Sequence, residues 1–264
     1  AGSVPSDSVP DEVAIRVGNS ETGFVTELWS STPELYTVGF VSPSGEEIGR
    51  IPLTLSSNTT VSFLLEPTVI TVYYRPHEID SGKQLIFMRF LNPTPGEWRI
   101  RVYSNQILNG DFHMWLPAEG LISPETVFLS PNPNTTITSP GNAPATITAA
   151  AYNHLNGSIN IHSSRGYTID SRIKPDLAAP GVEVYGPVQI PEAAYSRGVH
   201  PDSLPMTRKT GTSVAAALTA GSVASLLSWG LVWNNDPGMS GAAIRSYLIR
   251  GADRNRPYTF PNRE

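Results

Sequence analysis

The stretch from Lys209 to Gly230, KTGTSVAAALTAGSVASLLSWG, holds the residues best placed to do chemistry. A Gly-Thr-Ser opening a run of small and aliphatic residues predicts a buried helix with Thr212 and Ser213 in its first turn. Backbone N–H groups there have no intrahelical acceptor, and the helix dipole favours developing negative charge. That setting suits Ser213 as a nucleophile. The plainer alternative is that a Ser or Thr before an Ala-rich run only caps the helix. Gly211 would let the chain turn tightly ahead of the helix, and Ala215, Ala216, Ala217, Ala220, Gly221 and Ala224 would allow close packing against neighbouring backbone.

A Ser hydroxyl of ordinary acidity needs a base in hydrogen-bond reach and a third group to orient that base. The five histidines are His77, His113, His154, His162 and His200. None is assigned as the base. With no cysteine in the chain, disulfides, thiolate catalysis and Cys-based zinc sites are excluded. No cofactor is expected. Loop Asp and Asn residues leave calcium as a candidate ion without diagnostic ligand spacing.

A second segment, SSRGYTIDSRIKPDLAAPGVEVYGP (163–187), precedes the helix, and TSPGNAPATITAAAYN (138–153) precedes that. In this order, with GTSVAAALTAG (211–221), they resemble the subtilisin-like serine proteases. The resemblance implies that Ser213 is the nucleophile and that Thr212 lies beside the oxyanion hole. It also implies three partners: an Asp, a His in a His-Gly-Thr helix motif, and an oxyanion Asn closing an Ala-Gly-Asn strand. None of the three is recognisable here. Asp80-Ser81-Gly82 spells the family's Asp motif, but it follows Pro76-His77-Glu78 and reads as a β-turn. After the nucleophile, Ala216-Ala217-Leu218 replaces the usual Ser-Pro-His, read as a packing variant. The chain is therefore expected to be a portion of a longer protease, both ends looking cut, with the N-terminal part carrying the missing groups.

The elements that must position these residues fall into two blocks. Residues 1–10 are a polar lead-in. From 11 to 118 the chain shows short alternating runs such as EVAIRV, TVSFLL and EWRIRVY, broken by PSGEE, DSGK and NPTPGE. About nine strands at this spacing predict an antiparallel sandwich of the jelly-roll kind. A jelly-roll segment ahead of the nucleophile resembles the clostridial germination-specific proteases, as do SGKQLIFMRFLNPTPGEWRIRVYS and GTSVAAALTAG. Residues 119–264 are read as the C-terminal segment of the catalytic domain, 119–142 being a connector. The expected fold is a β-sandwich (jelly roll) followed by the C-terminal part of an α/β subtilisin-like domain. In the second block, ATITAAAY predicts a buried strand and SINIHS a shorter one. KPDLAAPGVEVY predicts two strands split at Pro180-Gly181, 187–208 a long loop, and MSGAAIRSYLIRGA a second helix.

The totals bound the rest. A chain of 264 residues, 39% hydrophobic and 16% charged, can build one large or two ordinary domains. The formal charge of −5, without a basic stripe, argues against a nucleic-acid partner. No run is expected to reach the length of a bilayer crossing, and no membrane partner is expected. The expected partners are a protein or peptide substrate and the missing N-terminal part; the resemblance implies an extracellular or spore-associated setting. Two other classes compete: a catalytically inactive pseudoprotease or binding scaffold of the same family, and a sandwich lectin using Trp29, Tyr73, Tyr74, Trp98 and Trp115. The lectin reading leaves residues 138–260 unexplained.

Overall fold

The computed structural model describes residues 1–5, 9–31, 33–54, 58–104, 107–118, 120–188 and 206–254. It divides into two units, Ala1–Asn132 and Pro133–Glu264.

The first unit is built of antiparallel strands. One sheet of six has the order β1 (Gly2–Ser3), β10 (Asp111–Trp115), β3 (Gly23–Ser30), β8 (Gln84–Leu91), β7 (Val69–Arg75) and β6 (Thr59–Ser62). A second sheet of five has the order β11 (Val127–Phe128), β2 (Asp11–Val17), β9 (Gly96–Ser104), β4 (Tyr36–Val41) and β5 (Glu47–Ile48). Period-two alternation turns one face of each sheet inward. In β9, Trp98, Ile100 and Val102 are buried while Arg99 and Arg101 lie on the other face, as the sequence pattern requires. The two inward faces share one apolar interior, since residues of both sheets form a single cluster.

Aromatic packing dominates that interior. Phe90 stacks on Phe24 at 4.5 Å between ring centroids and meets Phe40 and Trp98 edge-on at 5.8 and 5.7 Å. Such tilted pairs add to area burial because ring edges face ring faces. Two of the buried rings pair their polar atoms with backbone: Trp98 Nε1 donates to Thr94 O at 2.9 Å, and Tyr74 Oη donates to Ile51 O at 2.9 Å. The Gln84 amide clips β8 to β4 by accepting from Tyr36 N at 2.7 Å and donating to Tyr36 O at 2.8 Å. Of the five aromatics weighed for sugar stacking, Tyr74 and Trp98 are therefore core residues.

Two segments depart from the pattern. The TVSFLL run ends as strand at Ser62 because the Glu46 carboxylate takes the N–H groups of Leu64 and Leu65 at 2.8 to 2.9 Å. The leucine side chains that follow are exposed. Within the connector, β11 pairs with β2. Asp80-Ser81-Gly82 forms the expected turn, Gly82 N donating to Glu78 O at 2.8 Å.

In the second unit, β12 (Ala149–Tyr152) runs parallel to β13 (Leu177–Pro180), Ala150 facing Ala178. Strands β14 (Val184–Pro187) and β15 (Met206–Lys209) form an antiparallel pair. Much of the expected 187–208 loop lies outside the described residues, and its last part is β15. Helix α1 (Thr212–Leu227) continues into a π-helical turn, Ser228–Val232, and α2 (Gly241–Gly251) follows. Ser240 caps α2 by accepting from Ala243 N. SINIHS is not a strand. It contributes one bridge, Tyr152 to Ile159, before Asn160 Oδ1 accepts from His162 N at 3.0 Å and folds the chain into a turn.

Candidate active site

The approach to Ser213 is set by two glycines. Gly211 N donates to Gly181 O at 2.8 Å, and Gly181 N to Tyr152 O at 2.9 Å, so β12, the end of β13 and the start of α1 are laced together. A Cβ on Gly181 would lie 2.6 Å from Ala151 Cβ and 2.9 Å from Gly211 O, too near for any side chain. Gly211 has φ +156°, a conformation L-residues rarely adopt.

Gly211, not a hydroxyl residue, is the N-cap of α1, and no side chain caps the helix. Its carbonyl accepts from Val214 N at 3.1 Å and Ala215 N at 3.4 Å. Thr212 and Ser213 are thus the first two helical residues, whose N–H groups have no intrahelical acceptor by position. The capping alternative for Ser213 does not hold. Ser213 is exposed, and Thr212 beside it lines a cavity of about 160 Å³.

The cavity walls come from the segments singled out in the sequence: Thr138, Pro140, Gly141, Thr148, Ser163, Ser164 and Pro175, with Thr212 closing one side. Ser163 Oγ accepts from Ala151 N at 3.1 Å, fastening the Ser-Ser-Arg-Gly segment to β12. Arg165 N donates to Thr136 Oγ1 at 2.9 Å and Thr136 N to Arg165 O at 2.9 Å, joining that segment to the chain before the cavity. On the following loop, Arg172 at 2.6 Å and the Thr168 hydroxyl hold the Asp170 carboxyl down at about 2. Hydroxyls, backbone and two prolines make a small, mostly uncharged hollow next to a helix N-terminus. Such a place can receive an acyl group while the helix end stabilises an oxyanion.

Sequence reasoning missed Lys174, Asp176 and Arg245. Lys174 and Asp176 are fully buried, their charged ends 2.7 Å apart. Arg245 of α2 pairs with the same carboxylate, Nε lying 2.6 Å from Oδ1. The signal was present: residues two apart in an extended segment, here across Pro175, project to one side.

Helix α1 is largely exposed among the described residues. Among the described residues, only Ala215 and Thr219 of its 16 are fully buried, because the two strands beneath it shelter a single stripe. The run Thr212–Val232 spans 21 residues with mean hydropathy 1.5, enough in length and composition to cross a bilayer. That corrects the expectation that no run would do so. Interspersed Ser, Thr and Gly masked the length; Thr219, Ser222 and Ser225 return their hydroxyls to carbonyls one turn back. Of the histidines, His77, His154 and His162 are exposed, His113 is half-buried in the first unit, and His200 lies outside the described residues.

No curated protein sequence matches this chain. Among solved structures, the chain is similar to the CspB protease of Clostridium perfringens, with 28% identity and a TM-score of 0.83 over 96% of its length. That alignment covers 51% of the protease, so the chain spans about half the length of this relative. The model of the subtilase family matches residues 111–263, more than half of the chain. Parallel strands of small residues, a glycine-set helix start and that match together make this chain a member of the subtilase family.

Proposed function

We propose that this chain supplies the nucleophile-bearing half of a subtilisin-type serine endopeptidase. Ser213 attacks a peptide carbonyl to form an acyl-enzyme that water then hydrolyses, while a His and an Asp from an N-terminal part handle the proton. The Ser213 N–H, beside Thr212 and with an Asn from that same part, holds the oxyanion. The cavity bounded by Thr212 receives part of the substrate. The observation carrying this reading is the position of Ser213: exposed, second in a helix that no side chain caps, next to a hollow.

The N-terminal part would also cover α1. Leu218 is 42% exposed here, and Ala216, Ala217, Ala220 and Ala224 are exposed beside it, a face of the kind that packs beneath further backbone. By itself the chain is then inactive, loss of the base alone costing about 10⁶ in turnover in subtilisin. We also read the two sheets of the first unit as a jelly roll, on the nested pairs β2–β9, β3–β8 and β4–β9. In this reading the sheets serve as a rigid insert.

The test is hydrolysis of unstructured peptides by the chain joined to its N-terminal part. Cleavage lost in Ser213→Ala supports the proposal. A wild-type protein that binds peptides without cleaving them would favour the inactive-scaffold reading.

A further inference from the structure

The buried ions behind the cavity are unused by the chemistry above. Asp176 Oδ2 accepts from Lys174 Nζ at 2.7 Å and from Thr148 N at 2.8 Å, while Oδ1 faces the Arg245 guanidinium. Lys174 Nζ also donates to Thr146 O. Thr148 Oγ1 in turn donates to Gly141 O at 2.6 Å. Thr148, Gly141 and Pro175 all line the cavity, and Pro175 stands between the two charged residues.

A fully buried ammonium is costly unless each of its partners is held in place, so it is a poor choice where an apolar side chain would serve. Here its two oxygen partners lie on different segments: Thr146 in the bend that leads into β12, and Asp176 immediately before β13. An apolar residue could fill the volume but could not tie one backbone carbonyl to one carboxylate.

We propose that Lys174 is a positioning residue for the cavity beside Ser213, a tethered cation that fixes the Gly141–Thr148 wall against Pro175. This rests on the function proposed above for that cavity. Lys174 touches no substrate; it acts through Thr146, Asp176 and Thr148. Arg245 anchors the outer oxygen of Asp176 to α2 and leaves the inner one for Lys174 and Thr148.

The experiment is amide hydrogen exchange on the 264-residue chain, comparing wild type with Lys174→Met, Lys174→Arg and Lys174→Ala, the last with and without propylammonium. Expected is exchange about tenfold faster or more in Lys174→Met, confined to the peptides covering 141–149 and 174–177, the loss of one charge-assisted hydrogen bond. Lys174→Arg should lose less, and propylammonium should return protection to Lys174→Ala by refilling the emptied space with an ammonium. Unchanged exchange in folded Lys174→Met would overturn the proposal. So would protection lost evenly across β14, β15 and α2, or unfolding of every variant with no recovery in propylammonium.

In the longer protease, Lys174→Met should raise KM about tenfold for peptide substrates while leaving kcat within about twofold, as loss of a wall used equally before and during reaction requires. An active Lys174→Met enzyme with unchanged KM sinks the positioning role and leaves the protease reading intact. A wild-type protein without hydrolysis sinks the protease reading, and the exchange result still decides the role of Lys174.

Discussion

The two units bury their apolar residues in opposite ways. In Ala1–Asn132 the interior holds Trp98, Tyr36, Phe40, Phe90 and Phe112, all at most 1% exposed, enclosed between two sheets. In Pro133–Glu264 the corresponding cluster is Ala151, Leu177, Ala179 and Ala215. Large side chains fill space between layers; small ones let backbone approach backbone and bury little unless more backbone arrives. The first unit therefore carries its own stabilising interior, whereas the described residues of the second, two parallel strands, an antiparallel pair and two helices, bury only this small cluster.

The sharpest way to break that contrast is to empty the larger core. Trp98→Ala should cost about 3–5 kcal/mol, read from denaturant unfolding of the first unit. A loss under about 1 kcal/mol would mean that the sheets are not held by that interior.

A smaller effect separates covered from uncovered positions on α1. Ala215→Leu forces extra methyl groups against β12 and β13 and should cost about 1–3 kcal/mol. Ala216→Leu, exposed here, should stay within about 0.5 kcal/mol in this chain and, on the function proposed above, become damaging only when the proposed N-terminal part is joined to it. Equal costs at both sites in this chain would show that α1 is already enclosed.

Similar in size is the loss of a buried carboxylate in the first unit. Burial would push the Glu34 carboxyl up, but backbone N–H groups of Gly110, Leu108 and Asn109 and the Tyr36 hydroxyl outweigh it and hold it below the usual range. Its contribution is thus complete above the unfolded-state value of about 4.3 and fades as pH falls through the lower folded value. Glu34→Gln should cost about 1–3 kcal/mol at pH 7, and the gap from wild type should narrow in acid. A gap independent of pH would contradict the pairing. Smallest is the α2 cap: Ser240→Ala should lower the stability of the second unit by about 1 kcal/mol by orphaning Ala243 N.

The same contrast explains what the residues disclosed. Alternation in EWRIRVY and QLIFMRF has one reading, so β9 and β8 fall where expected. Local chemistry also placed the break at Pro180-Gly181 and the helix Gly241–Gly251. Competition by side chains was harder to see: Glu46 ending β6, and Asn160 turning the chain where SINIHS looked like strand. The helix start after Gly211 was readable from the small-residue run, but the cap falls on Gly211, whose φ of +156° L-residues rarely adopt. Lys174 and Asp176, two residues apart, carried a readable signal, but Arg245 lies 69 residues from Asp176, a pairing that only the folded chain reveals.

The most direct measurement is covalent. The chain joined to its N-terminal part should take up one fluorophosphonate per molecule, with peptide mass mapping placing the adduct on Ser213, and Ser213→Ala should take up none. An adduct on another residue, or equal labelling of the Ser213→Ala protein, would contradict the account.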